Sequence, residues 1–504
     1  MRQPDEGSSI ATWVSQQARN VPDAPALKQG GTQLSYAELD GLVGRAATRL
    51  AEAGVRTGHR VAMVMPNLLT FPIYYYAILR LGGTVVPVNP LLKADELAYV
   101  LRDASTRVAV VFAGFAEQAQ KAATQTSTQL LLVGPTDTTD TLADLPPTTT
   151  TVPRAADDTA VVLYTSGTTG TPKGAELTHA NIGSNVRTVL ETLFPMGPGD
   201  VVFGGLPLFH SFGQTVAMNT AVAGGACLTL LPRFDPVEAL RIIVEDQVTI
   251  VMAVPSMYVA LLNTPGAPTS GERGTSRLRT AVSGGSSLPL EVLRGIEKRF
   301  GVTLLEGYGL SETSPVVTFN HPDRPSRPGS IGTAIRGCEL DLFDADDRPV
   351  PDGGIGEIVI RGENVMKGYL NRPEDTAVAM RGGWFHSGDL ARRDADGFYF
   401  IVDRVKDMII RNGYNVYPRE VEEILYAHPA VQEVAVVGVP HPELGEEIAA
   451  LVTLKEGQSA TGEELISYVR DRIAAYKYPR IVEFGAVPKG PTGKILKREI
   501  RLSR

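Results

Sequence analysis

From Arg60 onward, short apolar runs alternate with helical patterns: RVAMVMP (60–66), LLTFPIYYYAILRLG, TVVPVNP, KADELAYVLRDAS and RVAVVFA follow one another almost without gaps. Short apolar runs bounded by Pro, Gly or Asn read as strands buried on both faces, and the longer segments between them read as helices. Strand, helix, strand in repetition predicts parallel sheets covered by helices, because a parallel connection must cross over the sheet. The alternation returns in DPVEALRIIVEDQ before VTIVMAVP, and in LEVLRGIEKRFG before VTLLEGYG. No short-period repeat points to a solenoid.

The 504 residues allow a large domain plus a small one. The Thr/Pro-rich segment 136–158 reads as a surface connection. After Arg361 the texture changes to Gly/Asp-rich turns between short strands. The last hundred residues read as a separate α/β unit: a helix in EVEEILYAHP, strands in VQEVAVVGVP and EIAALVTLK, and a helix in TGEELISYVRDRIAAY opened by the capping pair Thr461 and Glu464. The predicted division is a large domain to about Asp403 and a small one from about Arg404.

Charge and cysteine usage narrow the function classes. A net charge of −8 disfavours bulk nucleic-acid binding. Lys477 to Arg504 nevertheless holds eight Lys/Arg against two Glu, either a solvated basic tail or an anion-binding surface. Cys227 and Cys338 are isolated, without a CxxC or His-rich partner, so zinc is not expected and a reducing cytoplasm suits them. The start, MRQPDEGSSIATW, lacks an apolar run behind a basic residue, so no secretory signal is expected. Residues 71–90 reach membrane-spanning length but contain Arg80, two glycines and three prolines; a helix followed by a buried strand is the expectation, without stable membrane insertion.

YTSGTTGTPKGAELTH (164–179) has the chemistry of a phosphate loop. Glycine lets backbone amides approach an anion, Ser and Thr add hydroxyl donors, and Lys173 adds a mobile charge. The strand AVVLY (160–164) leads into it, and THANIGSNVRTVLETL reads as the helix after it. Pro172 before Lys173 and Gly174 after it depart from GxxxxGK[ST], so a motor or GTPase loop is disfavoured.

Six further stretches have the look of site sequence: LPLFHSFG (206–213), SGGSSLP (283–289), EGYGLSETSP (306–315), FHSGDLA (385–391), DRVKDMIIRNGYNVYPREVEE (403–423) and PKGPTGKILKREI (488–500). Together, and in this order, they resemble the acyl-activating superfamily of adenylate-forming enzymes, and most of all the fatty acyl-CoA synthetases. The resemblance runs from about Ser35 to the C-terminus. It implies an α/β fold: a large multi-subdomain N-terminal adenylation domain with parallel and mixed sheets (1–403), a hinge (404–407) and a small mobile α/β C-terminal domain (408–504). It also implies a two-step reaction. A carboxylate attacks the α-phosphorus of Mg-ATP, giving an acyl adenylate and pyrophosphate; a thiol then takes the acyl group and releases AMP. Coenzyme A is the expected acceptor, and the phosphopantetheine arm of an acyl carrier protein is the alternative.

The resemblance assigns residues. Thr165, Ser166, Gly167, Thr168, Thr169, Gly170 and Lys173 would grip the β- and γ-phosphates. Tyr308 would stack on adenine beside Gly285 and Ser286, with Gly309 next to it. Ser311 would bond the α-phosphate, and Glu312 would hold Mg²⁺. Asp389, assisted by Arg404, would take the ribose hydroxyls. Lys494 would reach the carboxylate and α-phosphate during adenylation, and Lys406 would be the hinge that carries it away. Gly413 would line the pantetheine channel after rotation; the bland reading is a turn glycine. His210, Val254, Gly284 and Gly309 would border the acyl pocket, with His210 as its gate; taken alone, a histidine among apolar residues reads as core. No acid stands near FHSFG to bind an amine, so an aliphatic or aromatic acid is expected rather than an amino acid.

Overall fold

The computed structural model describes residues 9–135, 141–165, 172–266, 277–490 and 493–502. The expected alternation forms a seven-stranded sheet, edge to edge Gly368–Tyr369, Lys173–Thr178, Thr159–Thr165, Thr84–Val88, Arg60–Val64, Val108–Phe112 and Gln129–Val133. Its last five strands in that list pair in parallel wherever neighbours meet, with Val61 opposite both Val85 and Val108. A nine-stranded sheet includes Val201–Gly204, Ile250–Ala253, Thr280–Ser283 and Leu304–Gly309, again parallel. Thr70–Arg80, the helix within the membrane-length apolar stretch, is buried along its whole length in a core that draws on both sheets. No helix among the described residues is long and apolar enough to cross a membrane.

One expectation changes in form. The phosphate loop does not pass from a strand directly into a helix. Lys173–Thr178 comes first and pairs antiparallel with Thr159–Thr165, Thr165 standing opposite Lys173, and the helix His179–Thr188 follows, capped by Thr178. Gly174 sits opposite Tyr164 where a Cβ would lie 2.7 Å from Val162. Glycine is what lets the two strands pair at that point.

Cys338–Phe343, Ile355–Gly362, Phe385–Arg393 and Tyr399–Arg404 form a four-stranded antiparallel sheet. Sheet membership then changes. Ile409–Arg411, Tyr414–Val416, Gly445–Leu454, Val431–His441 and Ile481–Phe484 make a separate five-stranded sheet with its own apolar core, covered by Pro418–Tyr426 and Gly462–Arg470. The capping box at Thr461 and Glu464 is present. Both cysteines are buried and unpaired.

Candidate active site

Two strand ends, at Arg404 and Tyr308, meet the middle of Phe385–Arg393 where the four-stranded sheet approaches the nine-stranded one. Asp389 and Arg404 are direct antiparallel neighbours, which places their side chains together. Arg404 Nε lies 2.9 Å from Asp389 Oδ1, and the Tyr308 hydroxyl donates to Asp389 Oδ2 at 2.7 Å. Burial and the Asp389 charge push the Tyr308 hydroxyl well above its ordinary range, so it remains a donor. The turn before Asp389 is held by Glu357, whose Oε1 accepts the Gly388 N–H at 2.8 Å and whose Oε2 lies 2.9 Å from His386 Nδ1. An oriented, ionised acceptor of this kind suits a vicinal diol.

Beside Tyr308 the backbone is crowded. A Cβ at Gly309 would fall 1.7 Å from the Pro315 carbonyl oxygen, so only glycine fits there. Gly284, Gly285 and Ser286 form the turn after Thr280–Ser283, with Gly285 at φ +82°. A Cβ on Gly284 would meet the Phe212 ring at 3.2 Å, and one on Gly285 would meet Val254 at 3.4 Å. The SGGSS turn, Phe212 and Val254 therefore form one wall.

The phosphate end is organised around Glu312. The hydroxyls of Thr165 and Tyr369 both donate to Glu312 Oε1, at 3.2 and 3.0 Å. Lys173 Nζ lies 2.5 Å from Asp375 Oδ1 and 5.4 Å from the centre of the Tyr369 ring. Ser311 Oγ is 3.4 Å from Ser211 Oγ. Ser166, Gly167, Thr168, Thr169 and Gly170 lie outside the described residues. No cluster of three His, Cys, Asp or Glu able to hold a metal occurs among the described residues. A single oriented carboxylate still fits Mg²⁺, which is commonly held by one or two carboxylates together with substrate phosphates.

Lys494 reaches this site on a tight turn. The Gly490 N–H bonds the Lys494 carbonyl at 2.8 Å, and Lys489 bridges Ile495. Gly493 is held against the start of the helix Pro255–Asn263: the Ser256 hydroxyl donates to the Gly493 carbonyl at 3.0 Å. Burial lowers the Lys494 ammonium to about 8; the Arg404 charge and, further down, Lys406 add to this, while Asp389 opposes it. Burial, reinforced by the Lys494 charge, lowers His210 to about 4, so His210 is neutral near pH 7. Lys494, Arg404, Asp389 and His210 thus share one electrostatic neighbourhood. Lys406 occupies an exposed turn between the two sheets. Gly413 is not brought to the site. It is exposed, at the tip of the hairpin joining Ile409–Arg411 to Tyr414–Val416.

Three of the eight basic residues in the C-terminal stretch are engaged in ion pairs within the molecule. Lys477 pairs with Glu420 at 2.7 Å, Lys489 with Glu433 at 2.5 Å and Lys497 with Glu422 at 2.7 Å. Its net charge therefore overstates what a docking anion would meet.

Tyr369, Asp375 and Ser256 were not among the residues expected from sequence. The first two lie in GYLNRPEDT (368–376), whose Gly and Asn-Arg-Pro signal only a turn and a helix start. Ser256 follows Pro255 at a helix start, a place where serine is unremarked.

Against known proteins, the chain matches the AMP-binding enzyme family over residues 14–370 and the AMP-binding enzyme C-terminal domain over residues 420–494. It is 39% identical to a feruloyl-CoA synthase of an Amycolatopsis species, covering 98% of each chain. It is 36% identical to a long-chain-fatty-acid–CoA ligase of Bacillus subtilis, covering 99% of this chain and 95% of that one. ATP-bound MatB from Rhodopseudomonas palustris superposes with a TM-score of 0.90 at 33% identity over 97% of both chains; apo MatB gives 0.81 over 98% of both.

Proposed function

We propose, for a chain that belongs to the AMP-binding enzyme family and is an ATP-dependent, AMP-forming acyl-CoA ligase, that its substrate is a carboxylic acid with an uncharged tail, a fatty acid first and an aromatic acid second. The observation that carries this is the wall beside Lys494. Phe212, Val254 and the small SGGSS turn pack together there, His210 is neutral, and the segments 206–213, 251–259 and 283–289 contain no Asp, Glu, Lys or Arg. An amino acid or a dicarboxylate would bring a second charge into that wall without a partner. The relatives named for feruloyl-CoA and long-chain-fatty-acid–CoA synthesis are consistent with both tail types.

In the proposed first step, a carboxylate oxygen attacks the α-phosphorus and the bond to the β,γ-pyrophosphate breaks. Free carboxylates are poor acyl donors because oxide is a poor leaving group; the adenylate replaces it with AMP. Asp389 and Arg404 fix the ribose and Tyr308 offers its ring face to adenine, in the turn that Gly285, Ser286 and Gly309 shape. Lys494 places its ammonium between the incoming carboxylate and the α-phosphate, with Ser311 as a hydroxyl donor. Thr165 and Lys173, with the loop between them, grip the departing phosphates. Glu312, oriented by Thr165 and Tyr369, would hold Mg²⁺, which supplies charge neutralisation to the phosphate oxygens. In the second step the thiol sulfur attacks the acyl carbon, its proton is lost and AMP departs.

We assign residues 1–403 to the large domain, 404–407 to a hinge centred on Lys406, and 408–504 to the small domain. The change of sheet between Arg404 and Ile409 supports that division. Lys494 occupies the site in this arrangement, so a thiol must enter after it withdraws; Gly413 would then border the pantetheine path. Free coenzyme A is the acceptor favoured over a carrier protein, because the internal ion pairs of Lys477, Lys489 and Lys497 remove much of the basic surface that an acidic carrier would meet. A cytoplasmic location fits two buried free thiols.

Carboxylate-dependent pyrophosphate exchange over a panel of fatty, cinnamic-type, benzoic, amino and dicarboxylic acids tests the reading. Exchange with uncharged-tail acids alone is expected. Exchange confined to amino or dicarboxylic acids would overturn the substrate class.

A further inference from the structure

Asp403 ends the large domain in the proposed division and is 7% exposed. Its Oδ1 accepts the Arg404 N–H at 2.7 Å, and its Oδ2 accepts the Arg419 N–H at 3.1 Å. Arg419 is the second residue of the small-domain helix Pro418–Tyr426, whose own N-cap residue, Tyr417, makes no side-chain cap bond. The carboxylate that caps this helix therefore comes from the other side of the hinge, at the end of the helix that favours negative charge. Arg419 fastens the same seam a second time, donating from Nη1 to the Ile401 carbonyl at 2.8 Å.

Behind this seam lies Lys497. Its ammonium bonds Glu422 Oε1 at 2.7 Å, and that oxygen also accepts the Val436 N–H at 2.8 Å. Burial lifts the Asp403 carboxyl, and Lys497 is the strongest influence holding it down. Burial works against the Lys497 charge too, and Glu422 and then Asp403 sustain it. Lys497 stands three residues beyond Lys494, so its anchorage fixes one side of the turn that carries the catalytic ammonium.

We infer that Asp403 and Lys497, joined through the helix Pro418–Tyr426 that the first caps and that holds the second at Glu422, are a latch, positioning residues that hold Lys494 in the site in this domain arrangement and not in the other. The latch rests on the hinge reading. Asp403 precedes residues 404–407, whereas Arg419, Glu422 and Lys497 follow them. Rotation about the hinge leaves the Lys497–Glu422 pair intact, since both partners ride on the small domain, but it strips Asp403 of its helix end. A contact made in one state and lost in the other is what biases a two-state equilibrium. The arrangement being held is the one nearer to the ATP-bound relative than to its apo form.

The test is to split the two half-reactions in Asp403→Ala, Lys497→Met, the double variant and Lys497→Arg. Pyrophosphate exchange reports adenylation; coenzyme A thioester formation from a supplied acyl adenylate reports the second step. Each neutralising change is expected to lower exchange about tenfold, leave thioester formation within about twofold, and add little to the other in the double variant. Lys497→Arg is expected to keep both activities. Should Lys497→Met fail to fold, Asp403→Ala, which takes the acceptor oxygen from the helix end, reads the same effect. Equal loss in both half-reactions, unchanged exchange, or fully additive losses would overturn the latch. Lys494→Ala, run alongside, separates the two ideas. If it too damages both steps equally, the hinge reading has failed and the latch with it; if it damages adenylation selectively while the latch variants do not, only the latch has failed.

Discussion

The Tyr308 hydroxyl donates to Asp389 Oδ2 at 2.7 Å while Arg404 Nε holds the opposite carboxylate oxygen at 2.9 Å. The ring expected to stack on adenine is thereby tied, through its edge, to the acid expected to bind the ribose. Its tilt is set by a charge-assisted bond. Tyr308→Phe keeps the face and loses the tie. A hydrogen bond to a charged group contributes about 1.5–3 kcal/mol, so KM for ATP is expected to rise about tenfold, with a smaller change in kcat. Tyr308→Ala, which also removes the face, is expected to raise KM further. Steady-state kinetics with varied ATP measure both; an unchanged KM in Tyr308→Phe would remove the tie from the binding account.

Lys494 should give adenylation a basic limb. Its ammonium is pulled down to about 8, so it is charged below that pH and neutral above it. A step that needs the cation loses kcat/KM as pH rises through about 8. Bound ATP and carboxylate add negative charge and favour the protonated amine, so the same limb in kcat is expected at higher pH. His210, held near 4, is neutral throughout and should contribute no limb between about pH 5 and 7. Lys494→Arg cannot lose its charge in this range; its profile, at a lower rate, is expected to stay flat where the native one falls. A native profile flat to pH 10 would remove Lys494 from the charge-stabilising role.

Strands buried on both faces, such as Arg60–Val64 and Thr84–Val88, were legible because continuous apolar runs leave few other readings. Lys173–Thr178 was not: KGAELT is short, charged at two positions, and becomes a strand only by pairing with Thr159–Thr165. The site divides in the same way. Tyr308, Asp389 and Arg404 stand in motifs and meet one another, while Tyr369 and Asp375 reach Glu312 and Lys173 across 57 and 202 residues of chain. Neither carries a local sign of what topology will put beside it. Charge counting left a basic tail and an anion-binding surface both open for a related reason, since the partners of Lys477 and Lys489 lie 57 and 56 residues earlier.

Tyr369 is the residue through which that hidden part of the site can be tested. Its hydroxyl orients Glu312 Oε1, and its ring lies beneath the Lys173 ammonium. Partners that orient a metal-binding carboxylate change metal affinity about 10–100-fold when removed. Tyr369→Phe keeps the ring, so the Mg²⁺ concentration giving half-maximal exchange is expected to rise about tenfold while saturating Mg²⁺ restores most of the rate. Glu312→Gln is expected to lose exchange at every Mg²⁺ concentration. An unchanged Mg²⁺ requirement in Tyr369→Phe would show that the bond does not orient a metal ligand.

Gly413 presents the opposite case, a residue whose expected role has no trace in this arrangement. Asn412 and Gly413, at φ +51° and +79°, are the two central residues of a hairpin in which Arg411 pairs with Tyr414. Such a turn favours Asn-Gly by itself, and no atom lies within 4 Å of the place a Cβ would take. Gly413→Ala must therefore cost about 1–2 kcal/mol of backbone strain, read as a lower denaturation midpoint, but it obstructs nothing while Lys494 is in the site. Pyrophosphate exchange is expected to survive. If the small domain turns so that this hairpin borders the thiol path, thioester formation from supplied acyl adenylate is expected to fall about tenfold or more, and Gly413→Leu to fall further. The open space around Gly413 makes the comparison decisive: a loss confined to the second step can only come from an arrangement other than this one, whereas equal, small effects on both steps would leave Gly413 as a turn residue and nothing more.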